Sequence, residues 1–177
     1  GGNSAVTFST ALVEFLKINP DIGIIYASSK NFPVFSYLPN LQIHCCSGSE
    51  VKRVEKSFEF EVVENRIFVV PPRKISAYNY VAEAYLKNTF LLEEINFLDS
   101  FKTSSTAMAF QIALKLMAKE LFLTGYDGYG QGGTKDQLEL FNENQFIFDH
   151  LKDDRPELSS LTPTLYMIPS KSIFSLI

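Results

Sequence analysis

Residues 107–124 have the sequence AMAFQIALKLMAKELFLT, and this stretch decides the fold class. Its first part, Ala107 to Ala118, is rich in alanine and in long apolar side chains, which predicts a clear helix. Leu121 to Thr124 is a short apolar run, which is typical of a strand buried on both faces. A helix followed by a buried strand is the repeating unit of a parallel sheet covered by helices.

The same alternation continues toward the start of the chain. Apolar runs at Ile22–Ala27 and Leu41–Cys46 predict two more buried strands. Leu12, Phe15 and Leu16 are spaced for one face of a helix before them. The sequence therefore predicts an α/β fold, a Rossmann-like three-layer sandwich with a mostly parallel sheet, in a single domain over residues 1–177.

Other segments carry weaker patterns. Residues 59–63 and 66–70 flank Glu64-Asn65, which predicts a hairpin or two short strands. Residues 77–94 and 135–151 are expected to be helical, and residues 165–168 are expected to form a strand.

Composition and charge exclude several classes of partner. The net charge is −4, and a weakly acidic domain lacks the basic face that nucleic acids require. Lys52 and Arg53 lie among acidic residues and are interpreted as solvated surface charges. No apolar run approaches the roughly 20 residues of a membrane helix, so no membrane partner is expected. With two histidines and no paired metal-ligand motif, neither a metal nor another cofactor is expected.

The two cysteines and the start of the chain suggest a context. Cys45 and Cys46 are adjacent, which disfavours a disulfide between them, and they follow an apolar strand pattern. Reduced, buried cysteines predict a cytoplasmic protein. The chain begins Gly1-Gly2 without an initiator methionine, which predicts a fragment of a longer chain whose N-terminal part is missing.

The strongest candidate ligand site opens the helix of residues 107–118. Ser104, Ser105 and Thr106 place hydroxyls beside a helix N-terminus, where unpaired N–H groups attract phosphate or carboxylate. The alternative is plain capping of the helix, for which serine and threonine are common.

A second candidate follows the strand of residues 121–124. Gly125 and Asp127 stand at its carboxyl end, where an acidic side chain can hold a ribose or sugar hydroxyl and a glycine lets a ligand approach the backbone. The alternative is a turn, since Asp-Gly is a common turn dipeptide.

Ser28 and Ser29 after the first strand, and Gly48 after the second, are weaker candidates for ligand binding. The chain contains no Walker motif, no G-x-G-x-x-G fingerprint and no G-x-S-x-G elbow. His44 is interpreted as a core or edge histidine of its strand. No catalytic residue can be assigned.

The string from Ser104-Ser105-Thr106-Ala107 to Gly125-Tyr126-Asp127-Gly128 resembles a helix–strand unit of sialyltransferase-like glycosyltransferases and of 6-hydroxymethylpterin pyrophosphokinase-like domains. The chain resembles more closely the smaller domain that follows the barrel in bacterial proteins similar to 4-hydroxy-2-oxovalerate aldolase and HMG-CoA lyase, which are associated with cell-surface polysaccharide genes. Residues 161–166 and 171–174 also fit that domain. The resemblance implies that Ser105 and Asp127 face a ligand. It also implies that the metal-binding and acid–base residues of the aldolase lie in a barrel of the same parent chain.

Three functions remain open at this point. The favoured one is an accessory domain of an aldolase that binds a nucleotide, nucleotide sugar or phosphorylated small molecule in cell-surface polysaccharide metabolism. The second is a glycosyltransferase-like transferase that uses a nucleotide-type donor. The third is a non-catalytic oligomerisation module, for which a homo-oligomer is the expected partner state. The small number of titratable residues after the strands favours binding over catalysis.

Overall fold

The computed structural model describes residues 2–57, 66–71, 88–130, 132–151 and 156–177. The chain forms two compact units, a central unit of residues 19–112 and a terminal unit of residues 1–18 and 113–177. The helices of the described residues are α1 (Ser4–Thr7), α2 (Ser9–Ile18), α3 (Glu50–Ser57), α4 (Ser105–Lys115) and α5 (Lys135–Leu151). The strands are β1 (Ile24–Tyr26), β2 (Gln42–Cys45), β3 (Arg66–Val70), β4 (Thr89–Leu91), β5 (Glu120–Leu123) and β6 (Glu157–Ser160). Two 3₁₀ helices cover Ser29–Val34 and Ile173–Ser175.

The central unit is built on a four-stranded sheet in the order β1-β2-β3-β4, in which every neighbouring pair is parallel. Ile25 is opposite Ile43, which is opposite Ile67 on the next strand. These β-branched side chains suit a pleated, buried surface, which explains why the apolar runs form strands. Because the strands run in one direction, their carboxyl ends meet at one edge, and the loops that follow them lie there.

An aromatic row crosses one face of this sheet. Tyr26, His44 and Phe68 are register partners on β1, β2 and β3. The His44 ring stacks on Tyr26 at a centroid distance of 4.6 Å and on Phe68 at 5.5 Å. Phe32 of the first 3₁₀ helix meets His44 edge-on at 5.0 Å. Since such ring pairs contribute roughly 0.5–1.5 kcal/mol each beyond burial, the row fixes the 3₁₀ helix on the sheet.

The terminal unit contains the parallel pair β5–β6, in which Leu121 is opposite Leu158 and Leu123 is opposite Ser160. Phe15 of α2 packs edge-on against Phe122 of β5 at a centroid distance of 5.8 Å. Helix α5 contributes a buried stripe at helical spacing. The stripe comprises Asn144, Ile147, Phe148 and Leu151.

A cluster of aromatic rings holds the irregular segment 161–169 in this unit. Tyr166 stacks on Phe141 at 4.6 Å and meets Phe148 edge-on at 5.0 Å. The Asn144 amide donates a hydrogen bond of 3.1 Å to the Tyr166 hydroxyl. Burial raises the pKa of Tyr166, which keeps this hydroxyl neutral.

The predicted α/β fold with parallel strands is confirmed, since helices accompany parallel strands in both sheets. Two local predictions are wrong. Residues 165–168 do not form a strand, whereas Glu157–Ser160 does, and Thr89–Leu91 is a strand inside the stretch expected to be helical. The predicted strand at 59–63 and the stretch 77–87 of the predicted helix lie outside the described residues.

Within the described ranges, no helix combines the length and apolar character needed to cross a membrane.

Helix α4 ends in a Schellman motif with an unusual residue at its left-handed position. The Ala118 N–H donates to the Ala113 carbonyl and the Met117 N–H donates to the Leu114 carbonyl, both at 3.0 Å. Met117 has a φ of 54°, a conformation that favours glycine, and it is 84% exposed. The helix end therefore carries backbone strain without a compensating burial of the methionine.

We expect Met117→Gly to raise the free energy of unfolding by about 1 kcal/mol, because it removes the Cβ clash of the left-handed conformation. Urea unfolding followed by circular dichroism measures this change. Met117→Ala is the matched control, because it shortens the exposed side chain but keeps the Cβ. An equal gain in both variants would show that the strain is not the cause.

Candidate functional site

The two units divide the residues predicted to bind a ligand. Ser28, Ser29 and Gly48 lie in the central unit, as do the hydroxyl residues 104–106 at the start of α4. Gly125 and Asp127 lie in the terminal unit, after β5.

At the edge of the central sheet, one buried carboxylate joins the loop after β1 to the start of α3. Glu50, the first residue of α3, accepts a hydrogen bond of 2.8 Å from the Ser29 N–H and one of 3.4 Å from the Ser28 hydroxyl. Glu50 is 8% exposed, and a carboxylate withdrawn from water requires such donors. The structure thus brings together three residues from two predicted loops.

Arg53 completes this arrangement from the first turn of α3. Its guanidinium donates to the Ser28 hydroxyl at 3.0 Å and forms an ion pair with Glu50. The Arg53 side chain is 41% exposed, whereas that of Glu50 is only 10% exposed. Of these two side chains, that of Arg53 is therefore the one that solvent reaches more readily. We call Ser28, Ser29, Gly48, Glu50 and Arg53 the carboxyl-edge cluster.

Gly48 shapes the loop between β2 and α3. Its φ is 54°, and a Cβ placed on it would meet no atom within 4 Å. The glycine is thus required by its backbone conformation and not by a close neighbour.

The hydroxyl residues 104–106 make local contacts at the start of α4. The Ser104 hydroxyl accepts a long hydrogen bond of 3.5 Å from the Ala107 N–H, which is the geometry of an N-cap. Thr106 is buried, and the Ser47 hydroxyl donates to the carbonyl of Thr103 at 2.7 Å. These contacts fit the capping alternative, while ligand binding at Ser104, Ser105 and Thr106 stays a prediction.

Ser29 of the carboxyl-edge cluster also forms a pair with His44. The Ser29 hydroxyl and His44 Nδ1 are 2.9 Å apart, a separation seen between a nucleophile and its base. However, Ser29 is 1% exposed and His44 is 0% exposed. Burial, together with the charge of Arg66, lowers the pKa of His44 to about 3. Because no substrate can reach a pair that is covered in this way, we assign it a structural role.

The buried neutral imidazole makes the fold sensitive to acid. Its pKa is about 3 in the folded chain and near 6.5 when exposed, so the unfolded state binds the proton first as pH falls. The contribution of His44 to stability is complete above pH 6.5 and is lost as pH falls toward 3. Between pH 6.5 and 5.0 we expect a loss of about 2 kcal/mol from this group.

Urea unfolding of His44→Phe at both pH values tests this expectation. Phenylalanine keeps the ring between Tyr26 and Phe68 but does not titrate, so the variant should lose about 2 kcal/mol less on acidification. His150→Gln, which removes an exposed imidazole on α5, is the control. The same acid loss in His44→Phe and in the unmodified chain would contradict the assignment.

In the terminal unit, residues near the start of the chain occupy the Asp127 carboxylate. Oδ2 of Asp127 accepts a hydrogen bond of 3.1 Å from the Ser4 N–H, and Oδ1 accepts a short one from the Ser4 hydroxyl. The Gly2 N–H donates to the carbonyl of Gly125 at 2.6 Å. The predicted ligand-side position therefore serves as an acceptor for Ser4 at the first residue of α1.

Thr162 extends these contacts into a chain of hydrogen bonds. Its Oγ1 accepts from the Gly125 N–H at 3.0 Å and lies 2.9 Å from Ser4 Oγ. Since the single hydroxyl proton of Ser4 is directed at Asp127, the Thr162 hydroxyl proton serves the contact with Ser4. Gly125 N–H, Thr162, Ser4 and Asp127 thus form one continuous chain.

Removing the buried acceptor of this chain should be costly. We expect Thr162→Val, which preserves the side-chain shape, to lower the free energy of unfolding by about 1–3 kcal/mol, because the Gly125 N–H is left unpaired. Thr162→Ser keeps the hydroxyl and should recover most of the loss. Urea unfolding measures both variants, and an equal loss in the two would place the effect in the methyl group instead.

Sequence reasoning did not identify five residues that organise these places: Glu50, Arg53, His44, Ser4 and Thr162. Arg53 was interpreted as a solvated surface charge, and His44 as a core or edge histidine, of which the structure shows the first. The Ser4–Asp127 contact joins residues 123 positions apart and the Gly125–Thr162 contact joins residues 37 positions apart, so no local sequence motif predicts either contact. The hydroxyls near Glu50 offered the best sequence indication, because Ser47-Gly48-Ser49-Glu50 is typical of a helix start.

Among the described residues, no group of three or more His, Cys, Asp or Glu side chains is placed to hold a metal ion. Cys45 and Cys46 are both buried and form no disulfide with any residue that the structure describes, and burial raises the pKa of the Cys45 thiol well above its usual range.

Comparison with known protein families, with curated proteins and with solved structures finds no match to this chain.

Proposed function

We propose that the chain is a binding domain for a small phosphorylated or nucleotide-type ligand, which it holds at the carboxyl-edge cluster of the central unit. The observation that supports this most is the partly exposed side chain of Arg53, whose guanidinium lies beside the Ser28 hydroxyl. This position is the edge at which α/β sheets commonly take their ligands. A guanidinium has five N–H donors in a planar fork, which suits phosphate oxygens.

Two further features support an anion at this position. Arg53 stands in the first turn of α3, and the N-terminal end of a helix favours negative charge. The left-handed Gly48 leaves open space beside the backbone of the loop before α3. Glu50 is neutralised by its ion pair and its two other donors, so it opposes the approach of an anion less than a bare carboxylate would.

The residues of the cluster favour ligand binding over catalysis. The titratable groups of the cluster are Glu50 and Arg53, and they are paired with each other. The nearby His44 is buried and neutral at physiological pH. General acid–base catalysis needs a positioned group that can reach the substrate, and the two charged groups of the carboxyl-edge cluster are engaged with each other. An accessory role beside an aldolase barrel, in polysaccharide metabolism, is part of the proposal through the resemblance alone.

A thermal-shift screen against inorganic phosphate, nucleoside diphosphates, nucleotide sugars and sugar phosphates tests the proposal. A ligand at a hundredfold excess over its Kd adds about 2.7 kcal/mol to the stability of the native state, which is readily visible as a higher Tm. We expect Arg53→Gln to weaken binding of the active ligand by about tenfold or more, because a charge-assisted hydrogen bond contributes about 1.5–3 kcal/mol.

Lys52→Gln is the matched control, because it removes the neighbouring positive charge, which is exposed, and leaves Arg53 in place. Equal weakening in both variants would indicate general charge attraction and not a site. Incubating the bound ligand with the chain separates a binder from a transferase, since a binder returns the ligand unchanged. The absence of any shift across the panel would reject the proposal and favour the oligomerisation module.

A further inference from the structure

Residues 2–5 pack against the Asp127 carboxylate and the loop after β5. This close packing requires glycine at two positions. A Cβ on Gly2 would lie 2.4 Å from Cγ of Asp127, and a Cβ on Gly125 would lie 2.9 Å from the Cβ of Ala5. Gly125 also has a φ of 70°. The backbone of this segment therefore approaches the loop after β5 as closely as a bound ligand would.

The way in which Ser4 meets Asp127 identifies the chemistry of the site. Both carboxylate oxygens are used, one for the Ser4 N–H and one for the Ser4 hydroxyl. These two donors stand on adjacent carbon atoms, Cα and Cβ, so the serine presents a vicinal amino alcohol. A vicinal diol presents two O–H donors with the same separation by two carbons. A carboxylate that accepts one pair in this bidentate way can accept the other.

Thr162 adds a third point of recognition. Its hydroxyl is oriented by the Gly125 N–H and donates to Ser4 Oγ. One oxygen of a diol in the place of Ser4 Oγ would accept the same proton while donating its own to Asp127. Thr162 is buried and its hydroxyl is fixed, so this point requires no reorganisation when a ligand enters.

We propose that Asp127 and Thr162 form a binding site for a vicinal diol of a sugar or ribose, and that residues 2–5 close this site by presenting Ser4 as an internal mimic of the diol. The site opens when the segment leaves, and its ligand competes with Ser4. The proposal stands on contacts within the terminal unit alone, so it does not depend on the anion site of the central unit.

The decisive variant is Ser4→Pro, because proline lacks both the N–H and the hydroxyl that occupy Asp127. Proline is tolerated at the first position of a helix, and it disfavours the helical conformation of Asn3 before it, which further releases the segment. NMR titration would follow the Gly125 amide as methyl β-D-ribofuranoside, methyl α-D-mannopyranoside and methyl 2-deoxyribofuranoside are added. We expect Ser4→Pro to bind one of the two diols at least tenfold more tightly than the unmodified chain does, and to bind the 2-deoxy analogue no more tightly.

Two controls complete the experiment. Thr7→Val removes another hydroxyl of α1, one that donates to the Asn3 carbonyl, and should leave binding as in the unmodified chain. Asp127→Asn in the Ser4→Pro background should abolish the gain. If circular dichroism shows that Ser4→Pro does not fold, Ser4→Ala takes its place with an expected gain of about threefold. Equal dissociation constants in the released and unmodified chains, no binding of either diol, or binding that survives Asp127→Asn would overturn the proposal. Preference for the ribofuranoside or for the mannopyranoside would assign the diol to a nucleoside or to a hexose.

Discussion

A carboxylate that is wholly or partly withdrawn from water needs hydrogen-bond donors, and this constraint organises the loops around the buried Glu50 and the half-buried Asp127. In the central unit, the two Glu50 oxygens accept hydrogen bonds from the loop after β1 and form an ion pair within the first turn of α3. In the terminal unit, the Asp127 carboxylate accepts two hydrogen bonds from Ser4 at the start of α1. Each carboxylate lies after a parallel strand, where the backbone has left the sheet and its N–H groups need new acceptors. The same requirement therefore fixes the loop conformations and concentrates polar groups at the strand ends.

The two carboxylates differ in which group of their surroundings a ligand in solution would contact. Glu50 is buried under an arginine whose side chain remains partly exposed, so the outward character of its loop is cationic. Asp127 has both oxygens engaged by Ser4, and in the proposed diol site it is the acceptor that a ligand would use. A region that stabilises its own chain in this way is a binding site only for a molecule that reproduces the donors it displaces. The chemistry expected at each place follows from this difference, an anion beside Arg53 and a pair of hydroxyl groups at Asp127.

The sequence predicts those parts of the fold that have a local cause. The β1 region was found because its apolar run begins with two β-branched residues, which suit a strand. The β2 region was found from the apolar Leu41, Ile43 and Cys45, although Gln42 and His44 between them are polar and buried. Strand β6 was missed because Glu-Leu-Ser-Ser has no apolar pattern, and its conformation comes from pairing with β5. Residues 165–168 are apolar without being a strand, since their backbone is satisfied elsewhere. The Leu165 N–H donates to the carbonyl of Asp127, and the Met167 N–H donates to the side chain of Gln145. For the same reason the sequence could place Asp127 after a strand but could not foresee Ser4, which is 123 positions away.

An internal mimic sets a threshold for any ligand that competes with it. If the closed form is favoured by ΔG, the apparent affinity of the diol falls by the fraction of chains that are open, about tenfold for every 1.4 kcal/mol. In the proposed site, hydroxyl compounds that bind weakly would not displace Ser4 from Asp127. A ligand that makes additional contacts would still displace it. The length of α1 matters here, because a helix of 4 residues has little stability of its own and depends on the contacts of its first residue. The segment leaves Asp127 only if the Gly2–Gly125 hydrogen bond and the burial of Ala5 are given up as well, and both add to the threshold.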